Sequence, residues 1–241
     1  MASAKKRSYG ESCRFAHALD LVGERWALLV VRELLLGPRR FTDLRNGLPN
    51  ASTNILAERL RELEQGGVLR KRRLPPPAAA SVYELTEWGR ELEPVVTTLG
   101  AWGARSPFPP DTEAINASSI VLALRSLFDA ETAAGVELEV ELALDDEELH
   151  ASVREGALEI GRGPLEDGGL RVAAAAGIFA AVLTGELPLE VALDSGELEL
   201  NGSKRAFRSF LKLFPMPEPC SGQPASSSPS PEAVAGGSNF A

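Results

Sequence analysis

Apolar residues in the first hundred positions recur at intervals of three and four, which is the period of an amphipathic helix. The pattern predicts helices over residues 15–22 and 26–34, and a Gly-Pro pair stops the second one. A short helix is then predicted over residues 42–46, with Thr42 as its N-cap. The first part of the chain is therefore expected to be mostly helical.

The stretch after this short helix carries the most specific pattern in the chain. Ser52 is a favourable N-cap, and the helix that follows it has one apolar stripe: Ile55, Leu56, Leu60 and Leu63. A Gly-Gly pair ends that helix, and residues 68–74 and 81–85 then predict a β-hairpin. Two helices followed by a hairpin are the order of a winged helix-turn-helix. A helix over residues 87–104 completes this unit.

The second half of the chain has a different pattern, in which strands and helices are mixed. Strict alternation over residues 136–144 predicts a half-buried strand, and strands are also predicted at 149–153 and 157–160. Residues 189–193 and 198–200 are expected to form a further hairpin. Helices are predicted over residues 120–127, 178–184 and 204–214. We expect a small α+β sandwich, with one antiparallel sheet and helices on one of its faces.

These patterns, and the prolines and low-complexity stretches between them, divide the chain into five segments. They are a disordered basic arm at 1–10, a winged helix domain at 11–105, a linker at 106–113, a second domain at 114–214 and a disordered tail at 215–241.

Charge is distributed unevenly between the two halves. The net charge of −9 on 241 residues argues by itself against a nucleic-acid partner. However, residues 1–105 carry 17 Lys and Arg against 12 Asp and Glu, or +5, whereas residues 106–241 carry 8 against 22, or −14. This asymmetry is typical of one domain that faces phosphates and another with a different task.

Candidate DNA-binding residues lie on the helix after Ser52 and on the hairpin. Small polar side chains on the outward N-terminal face of a helix can enter a major groove and reach base edges. Four consecutive cations on a strand can contact phosphates, although any one of them is equally consistent with a solvated surface charge. The predicted DNA-binding residues are Arg40, Ser52, Thr53, Asn54, Ala57, Glu58, Arg61, Arg70, Lys71, Arg72 and Arg73.

The first domain resembles the HxlR family of bacterial transcription regulators. The matching segments are Cys13, LDLVGERW at 19–26, GPRRFTDL at 37–44, LAERLRELE at 56–64 and YELTEWG at 83–89. The resemblance implies a homodimer on a pseudo-palindromic operator, with terminal helices at the interface. The implied interface residues, which also suit an intrachain core, are Phe15, Leu92, Val95, Leu99 and Trp102. One departure is the uncharged tip of the wing at residues 75–81, which weakens the case for its insertion into the minor groove.

Cys13 aligns with a position that some HxlR relatives use to sense quinones or electrophiles. A thiolate beside Arg14 at a helix N-terminus has the surroundings that lower a cysteine pKa. The alternative is a small packing residue near the dimer interface.

The second domain resembles the sterol-carrier-protein type of lipid-binding fold. The resemblance rests on AVLTGELPLEVALDSGELELNGS at 181–203 and on the amphipathic helix that follows. It implies an apolar tunnel for a hydrophobic ligand, whose candidate lining would otherwise simply be core. That lining is Ile178, Phe179, Val182, Phe207, Phe210, Leu211 and Phe214. A further alternative is that this domain only dimerises.

No pattern of catalytic or metal-binding residues is evident. His17 and His150 have no nearby residues at metal-ligand spacing, so we expect neither an enzyme nor a cofactor or metal site. Two distant cysteines, no signal peptide and no membrane-length apolar run predict a cytoplasmic protein without a membrane partner.

The favoured hypothesis is a homodimeric, sequence-specific regulator of transcription that binds double-stranded DNA. Repression is the expected sign of regulation, and the hypothesis includes control by a hydrophobic ligand in the second domain. One alternative is a lipid- or metabolite-binding protein whose winged helix serves protein contacts. Another is a thiol-based electrophile sensor that acts through Cys13.

Overall fold

The first half of the chain folds into a helical domain with a two-stranded hairpin. The computed structural model describes residues 8–76, 79–107, 114–165 and 169–221. We define the N-terminal domain by its elements: α1 (Arg14–Val22), α2 (Ala27–Leu34), α3 (Phe41–Gly47), α4 (Thr53–Gln65), β1 (Leu69–Arg73), β2 (Ser81–Leu85), α5 (Glu87–Arg90) and α6 (Glu93–Ala104).

The core of the N-terminal domain fixes α4 against the rest of the domain. Its fully buried side chains include Val30 of α2, Leu44 of α3, and Leu56, Leu60 and Leu63 of α4. Their spacing on α4 places one stripe of the helix inside and the opposite stripe outside. The α3–α4 pair is a helix-turn-helix, and the antiparallel β1–β2 hairpin is its wing.

Two details of the predicted helices are wrong. Arg40 rather than Thr42 is the N-cap of α3, and its backbone N–H donates to the Asp43 carboxylate at 2.9 Å. The single helix expected over residues 87–104 is two helices, α5 and α6. Pro94 lies in the first turn of α6, where it needs no N–H donor, whereas inside one long helix its ring would clash with the preceding turn.

The described part of the second half of the chain combines a five-stranded sheet with four helices. We define the C-terminal domain by its elements: α7 (Ala117–Leu127), β3 (Leu138–Leu144), β4 (Glu147–Arg154), β5 (Ala157–Arg162), β6 (Leu170–Ala174), α8 (Ala176–Thr184), α9 (Leu189–Ser195), β7 (Leu198–Asn201) and α10 (Lys204–Leu211). The strand order is β5-β4-β3-β6-β7.

The sheet is mixed, so the expectation of a purely antiparallel sheet is wrong. β6 pairs with β3 in parallel, from Val140 opposite Leu170 to Leu144 opposite Ala174, while the other neighbours are antiparallel. Alternation of apolar residues tells which face of a strand is buried, but it contains no information on the direction of the neighbouring strand.

The hairpin predicted over residues 189–200 is also wrong, because its first half is helix α9. Helical spacing buries Leu189 and Ala192, whereas an alternating strand would have buried Val191, which is 51% exposed. Gly196, at φ +77°, ends α9 in the left-handed conformation that glycine adopts readily. Only the second half of the predicted hairpin is a strand, β7, and it pairs with β6.

The helices cover one face of the sheet, as predicted. The alternating residues Val140, Leu142 and Leu144 of β3 are fully buried in a cluster with side chains of α7, α8, α9 and α10. The opposite face of the sheet is polar and carries cross-strand ion pairs, including Glu139 with Arg154. This alternation accounts for the half-buried strand pattern of the sequence.

Helix α7 touches both hydrophobic cores. Ile120 and Leu124 are fully buried in the core of the C-terminal domain, and Leu122 packs against the core of the N-terminal domain. Glu93 of α6 forms an ion pair with Arg125 of α7, with 2.6 Å between Oε1 and NH1. The two domains are therefore joined by packed side chains as well as by the chain itself.

Residues of the segments predicted as arm and tail form hydrogen bonds with the N-terminal domain. Ser8 and Tyr9 donate hydrogen bonds to the Asp20 carboxylate, and the Cys220 N–H donates to the Arg105 carbonyl at 2.8 Å. Residues 1–7 and 222–241, and residues 108–113 of the predicted linker, lie outside the described residues. Within the described ranges, no helix has the length and apolar character needed to cross a bilayer.

Candidate nucleic-acid interface

The outward face of α4 is polar and open to solvent. Ser52 caps the helix, with its hydroxyl accepting from the Ile55 N–H at 3.3 Å. Six residues that the sequence predicted to face DNA are exposed on this helix and its cap: Ser52, Thr53, Asn54, Ala57, Glu58 and Arg61. These side chains therefore lie on the outward side of α4, from its N-cap to Arg61.

The buried face of α4 differs from the predicted stripe at two positions. Ile55 is 41% exposed rather than buried, because it lies in the first turn at the edge of the stripe. Arg59 is buried instead, and its guanidinium forms an ion pair with Glu62 one turn further along. Sequence reasoning missed Arg59, since a charged residue beside an apolar stripe is usually solvated.

Arg40 is exposed at the start of α3, next to a residue that ties this turn to the wing. The backbone of Arg39 pairs with Tyr83 in both directions, at 2.9 and 2.8 Å, and so extends the β1–β2 ladder by one bridge. The turn between α2 and α3 is therefore joined to the wing by two backbone hydrogen bonds.

The cations of the wing are divided between two roles. Arg70 and Arg72 point to the same side of β1, and both form ion pairs with Glu84 of β2, at 2.7 and 2.9 Å. Lys71 lies over the Tyr83 ring, with Nζ 5.6 Å from its centroid, and Arg73 has no ion-pair partner within the described ranges. Lys71 and Arg73 are thus the wing cations most available to a phosphate.

Glu84 is a site residue that sequence reasoning missed. Its side chain is buried, and the hydrogen bond from Arg72 lowers the pKa of its carboxyl, with a smaller contribution in the same direction from Arg70. The hairpin register contained the signal, because it places Glu84 directly opposite Arg70 on the neighbouring strand.

A buried polar contact joins the α2–α3 turn to the C-terminal domain. The side chain of Arg39 forms an ion pair with Glu147 of β4, and Arg162 of β5 lies 3.4 Å from the same carboxylate. Burial, followed by the charge of Arg39, lowers the pKa of the Arg162 guanidinium from its ordinary value. The wing is therefore held through Arg39 by the strand pair β4–β5.

A second buried contact lies beside it. Glu33 of α2 is almost fully buried, and its carboxylate accepts hydrogen bonds from Ser118 at 2.9 Å and from Asn116 at 3.2 Å. Asn116 also donates to the Gly47 carbonyl at 2.8 Å, which reaches the end of α3. Glu33 also forms an ion pair with Arg32 of the same helix, at 2.7 Å. The contacts from Ser118 and Asn116 are therefore additional hydrogen bonds that form only when the two domains stay together.

Four of the five predicted interface residues are exposed apolar side chains, three on α6 and one on α1. Val95, Leu99 and Trp102 are all exposed and lie on one stripe of α6, with Trp102 74% exposed, and Phe15 is exposed on α1. Leu92 instead packs against the core of its own domain. Exposed large apolar side chains on two terminal helices are unusual for a monomer surface.

Cys13 is exposed at the N-cap of α1. The backbone N–H groups of Ala16 and Phe15, in the first turn of α1, lower the pKa of its thiol from the ordinary value. This arrangement favours the thiolate, which is the reactive form of cysteine.

The predicted ligand-lining residues lie together in the core of the C-terminal domain. Phe179, Phe207, Phe210 and Phe214 are fully buried and contact one another, with ring centroids 5.0–6.4 Å apart. Val182 is also buried, while Ile178 and Leu211 pack against the same cluster from its edge. An open cleft lies elsewhere, between α6 and the β4–β5 strand pair, and none of these seven residues lines it. No group of acidic, His or Cys side chains suited to a metal occurs within the described ranges.

A helix-turn-helix with an exposed polar second helix, flanked by a cationic wing, defines the class of DNA-binding transcription regulators. A family model described as HxlR-like helix-turn-helix matches residues 21–108. The uncharacterized HTH-type transcriptional regulator YvaP of Bacillus subtilis (strain 168) is 39% identical over 93 residues, which are 38% of this chain and 86% of YvaP. The HTH-type transcriptional regulator YodB of the same organism is 38% identical over 95 residues, which are 39% of this chain and 85% of YodB.

The chain belongs to the HxlR-like helix-turn-helix family of transcriptional regulators. Among solved structures, the reduced form of YodB is 35% identical and covers 42% of this chain and 100% of that chain, with a TM-score of 0.37. The family match ends at residue 108, before the C-terminal domain begins.

Proposed function

We propose that the protein binds a pseudo-palindromic operator as a homodimer and represses transcription, with α4 in the major groove. The observation that supports this proposal is the exposed, mostly polar side of α4, which runs from Ser52 to Arg61. Asn54 has the donor and acceptor that recognise an adenine edge, and Arg61 suits a guanine or a phosphate. Lys71 and Arg73 of the wing supply phosphate contacts that are independent of sequence.

The test separates base recognition from phosphate binding. We expect Asn54→Ala to reduce the preference for operator over random DNA by about tenfold to a hundredfold, because one bidentate base contact is lost. Arg73→Ala should instead weaken binding to both DNAs alike and reduce the slope of affinity against salt by about one. Gel-shift titrations at two salt concentrations measure both effects, on an operator selected from random sequences.

Gln65→Ala is the matched control, since Gln65 is exposed at the far end of the same helix. Equal losses on both DNAs for Asn54→Ala would remove Asn54 from base recognition. Absence of any sequence preference in the unaltered protein would favour the alternative, a ligand-binding protein whose winged helix contacts other proteins.

We further propose that a hydrophobic ligand of the C-terminal domain controls operator binding. The proposal is supported by the mixed α+β architecture, by its resemblance to sterol-carrier-type proteins, and by the polar contacts of Arg39 and Glu33 with this domain. A ligand changes operator affinity only if it binds one arrangement of the two domains better than another. Its control of DNA binding is tested by repeating the operator titration with ligand present.

A second candidate function is thiol-based sensing of electrophiles, which the exposure and lowered pKa of Cys13 favour. Diamide is expected to lower operator affinity in the unaltered protein but not in Cys13→Ser. Cys220→Ser is the matched control, because Cys220 is the other exposed cysteine. If Cys13→Ser responds to diamide as strongly as the unaltered protein, Cys13 is not a sensor.

A further inference from the structure

A cleft of about 840 Å³ lies between the N-terminal half of α6 and the edge strand β5. One wall consists of Glu93, Pro94 and Thr97 of α6, and the other is the β5 edge from Ala157 to Gly161. Arg125 and Phe128, at the end of α7, also line it. The volume is in the range of small-molecule sites, and the cleft lies at a domain junction, where such sites are common.

Arg125 is the central charge of this cleft. Its side chain is 18% exposed, its NH2 donates to the Ile160 carbonyl at 3.3 Å, and its NH1 lies 2.6 Å from Glu93 Oε1. The Glu93 side chain is 43% exposed. The arginine is therefore largely removed from water while its carboxylate partner is not, and a displaced Glu93 can be hydrated again at small cost.

The same wall contains a hydrogen-bonding group that is not used. Thr97 lies one turn after Glu93 on α6, and its buried hydroxyl has no hydrogen-bond partner among the described residues. Arg125 NH1 is also buried and makes no well-directed hydrogen bond there, despite its closeness to Glu93. A buried donor without an acceptor is costly, so a second acceptor beside Glu93 would stabilise this wall.

The remaining surface of the cleft is partly polar, with Thr98 on α6, Glu159 on β5 and His150 on β4, and partly apolar. The apolar side chains of the lining are Phe128, Pro94, Leu158 and Ile160. With two carboxylates at its edge, from Glu93 and Glu159, the cleft disfavours a ligand with more than one negative charge.

We propose that this cleft binds an apolar monocarboxylate. The ligand carboxylate replaces Glu93 at Arg125 and accepts a hydrogen bond from Thr97, while its hydrocarbon or aromatic body packs against Phe128 and Leu158. The cleft and this class of ligand are a specific form of the ligand control proposed above. Carboxylate binding in the cleft is independent of that proposal, and only its effect on operator binding rests on it. The consequence is that the ligand breaks the Glu93–Arg125 ion pair, which joins α6 to α7.

Isothermal titration of the full chain with octanoate and 4-phenylbutyrate tests the site, with octan-1-ol as the uncharged control. Arg125→Gln is expected to weaken carboxylate binding by about tenfold or more, because a charge-assisted pair is lost. Glu93→Gln removes the competing carboxylate and should tighten binding by about threefold to tenfold. Arg154→Gln is the matched control, because Arg154 is an exposed arginine of the same domain that pairs with Glu139.

The two variants are expected to change carboxylate affinity in opposite directions. Glu93→Gln therefore still tests the proposal if Arg125→Gln impairs folding, which circular dichroism detects. The proposal is overturned by the absence of saturable carboxylate binding, by equal affinity for octan-1-ol, or by a Glu93→Gln variant that binds more weakly. Operator affinity is measured separately with and without octanoate. Carboxylate binding that leaves operator affinity unchanged upholds the site and refutes ligand control.

Discussion

At the scale of single residues, the wing shows that a basic run can be used inside the protein as well as towards DNA. Four consecutive cations predict phosphate contacts, but two of them, Arg70 and Arg72, converge on the buried carboxylate of Glu84. The hydrogen bond from Arg72 lowers the pKa of Glu84 below its ordinary value of 4.5. The charged form of Glu84 therefore stabilises the folded state, and this stability is lost as the pH falls.

Glu84→Gln is expected to lower the free energy of unfolding by about 1 kcal/mol at neutral pH, since both arginines remain solvated. Because the folded pKa is depressed, the difference from the unaltered protein should be constant above pH 5, roughly, and should shrink as the pH falls through the folded pKa. This difference in the free energy of unfolding is measured by urea unfolding at a series of pH values from neutral to acidic. Glu91→Gln, at an exposed glutamate, is the control. A difference that grows on acidification would contradict the assignment.

Much of the candidate DNA-binding surface was predictable at the residue scale, because the apolar stripe of α4 and its Ser52 cap fix which side chains point outward. The exceptions are residues whose partners are distant in sequence. Arg39 appears only as part of a turn motif, yet its side chain pairs with Glu147, 108 residues later. Local pattern contains no information about such a partner.

At the scale of elements, α6 has more apolar surface than its own domain covers. Val96 is buried, whereas Val95, Leu99 and Trp102 lie at intervals of four and three on a stripe that faces solvent. Covering this stripe with a second copy of the chain would remove it from water, and hydrophobic burial is the main driving force of such association.

Leu99→Asp combined with Trp102→Asp is therefore expected to produce a monomer in sedimentation velocity. It should also lower operator affinity by about a hundredfold, because the two half-sites are no longer bound together. Val191→Asp is the matched control, since Val191 is comparably exposed on α9 of the C-terminal domain. A double variant with the same sedimentation coefficient as the unaltered protein would exclude this face of α6 as the interface.

The same elements show which features of the fold the sequence pattern predicts and which it does not. Helices α1 to α4 and the strand β3 were predictable from the periodic spacing of their apolar residues. The α9 segment was mistaken for a strand, because Leu189, Val191 and Leu193 fit alternation while Leu189 and Ala192 fit a helix. Pro188 as N-cap and Gly196 just beyond the end were the signals that favoured the helix. The parallel pairing of β3 with β6 depends on the whole sheet rather than on either strand.

At the scale of the whole molecule, the two domains share α7 and a set of buried polar groups, so we expect them to unfold together. Ser118 and Asn116 donate to Glu33 only in the joined arrangement, in addition to the Arg32 partner that Glu33 has in its own helix. The ion pair of Arg39 with Glu147 likewise exists only when the domains are joined. All three tryptophans, Trp26, Trp88 and Trp102, lie in the N-terminal domain, so fluorescence reports on that domain alone. Far-ultraviolet circular dichroism reports on both domains.

The two signals should give one urea midpoint for the unaltered chain, because coincident transitions are the mark of two-state unfolding. Ser118→Ala leaves an oxygen of the buried Glu33 carboxylate without its donor, at a cost of about 1–3 kcal/mol. Combined with Glu147→Gln, it should separate the two midpoints, with each domain unfolding by itself. Glu139→Gln, on the polar face of the sheet, should leave them coincident. Two separate midpoints in the unaltered chain would mean that the junction does not couple the unfolding of the two domains. Ligand binding in the C-terminal domain would then not be transmitted to the wing through these contacts.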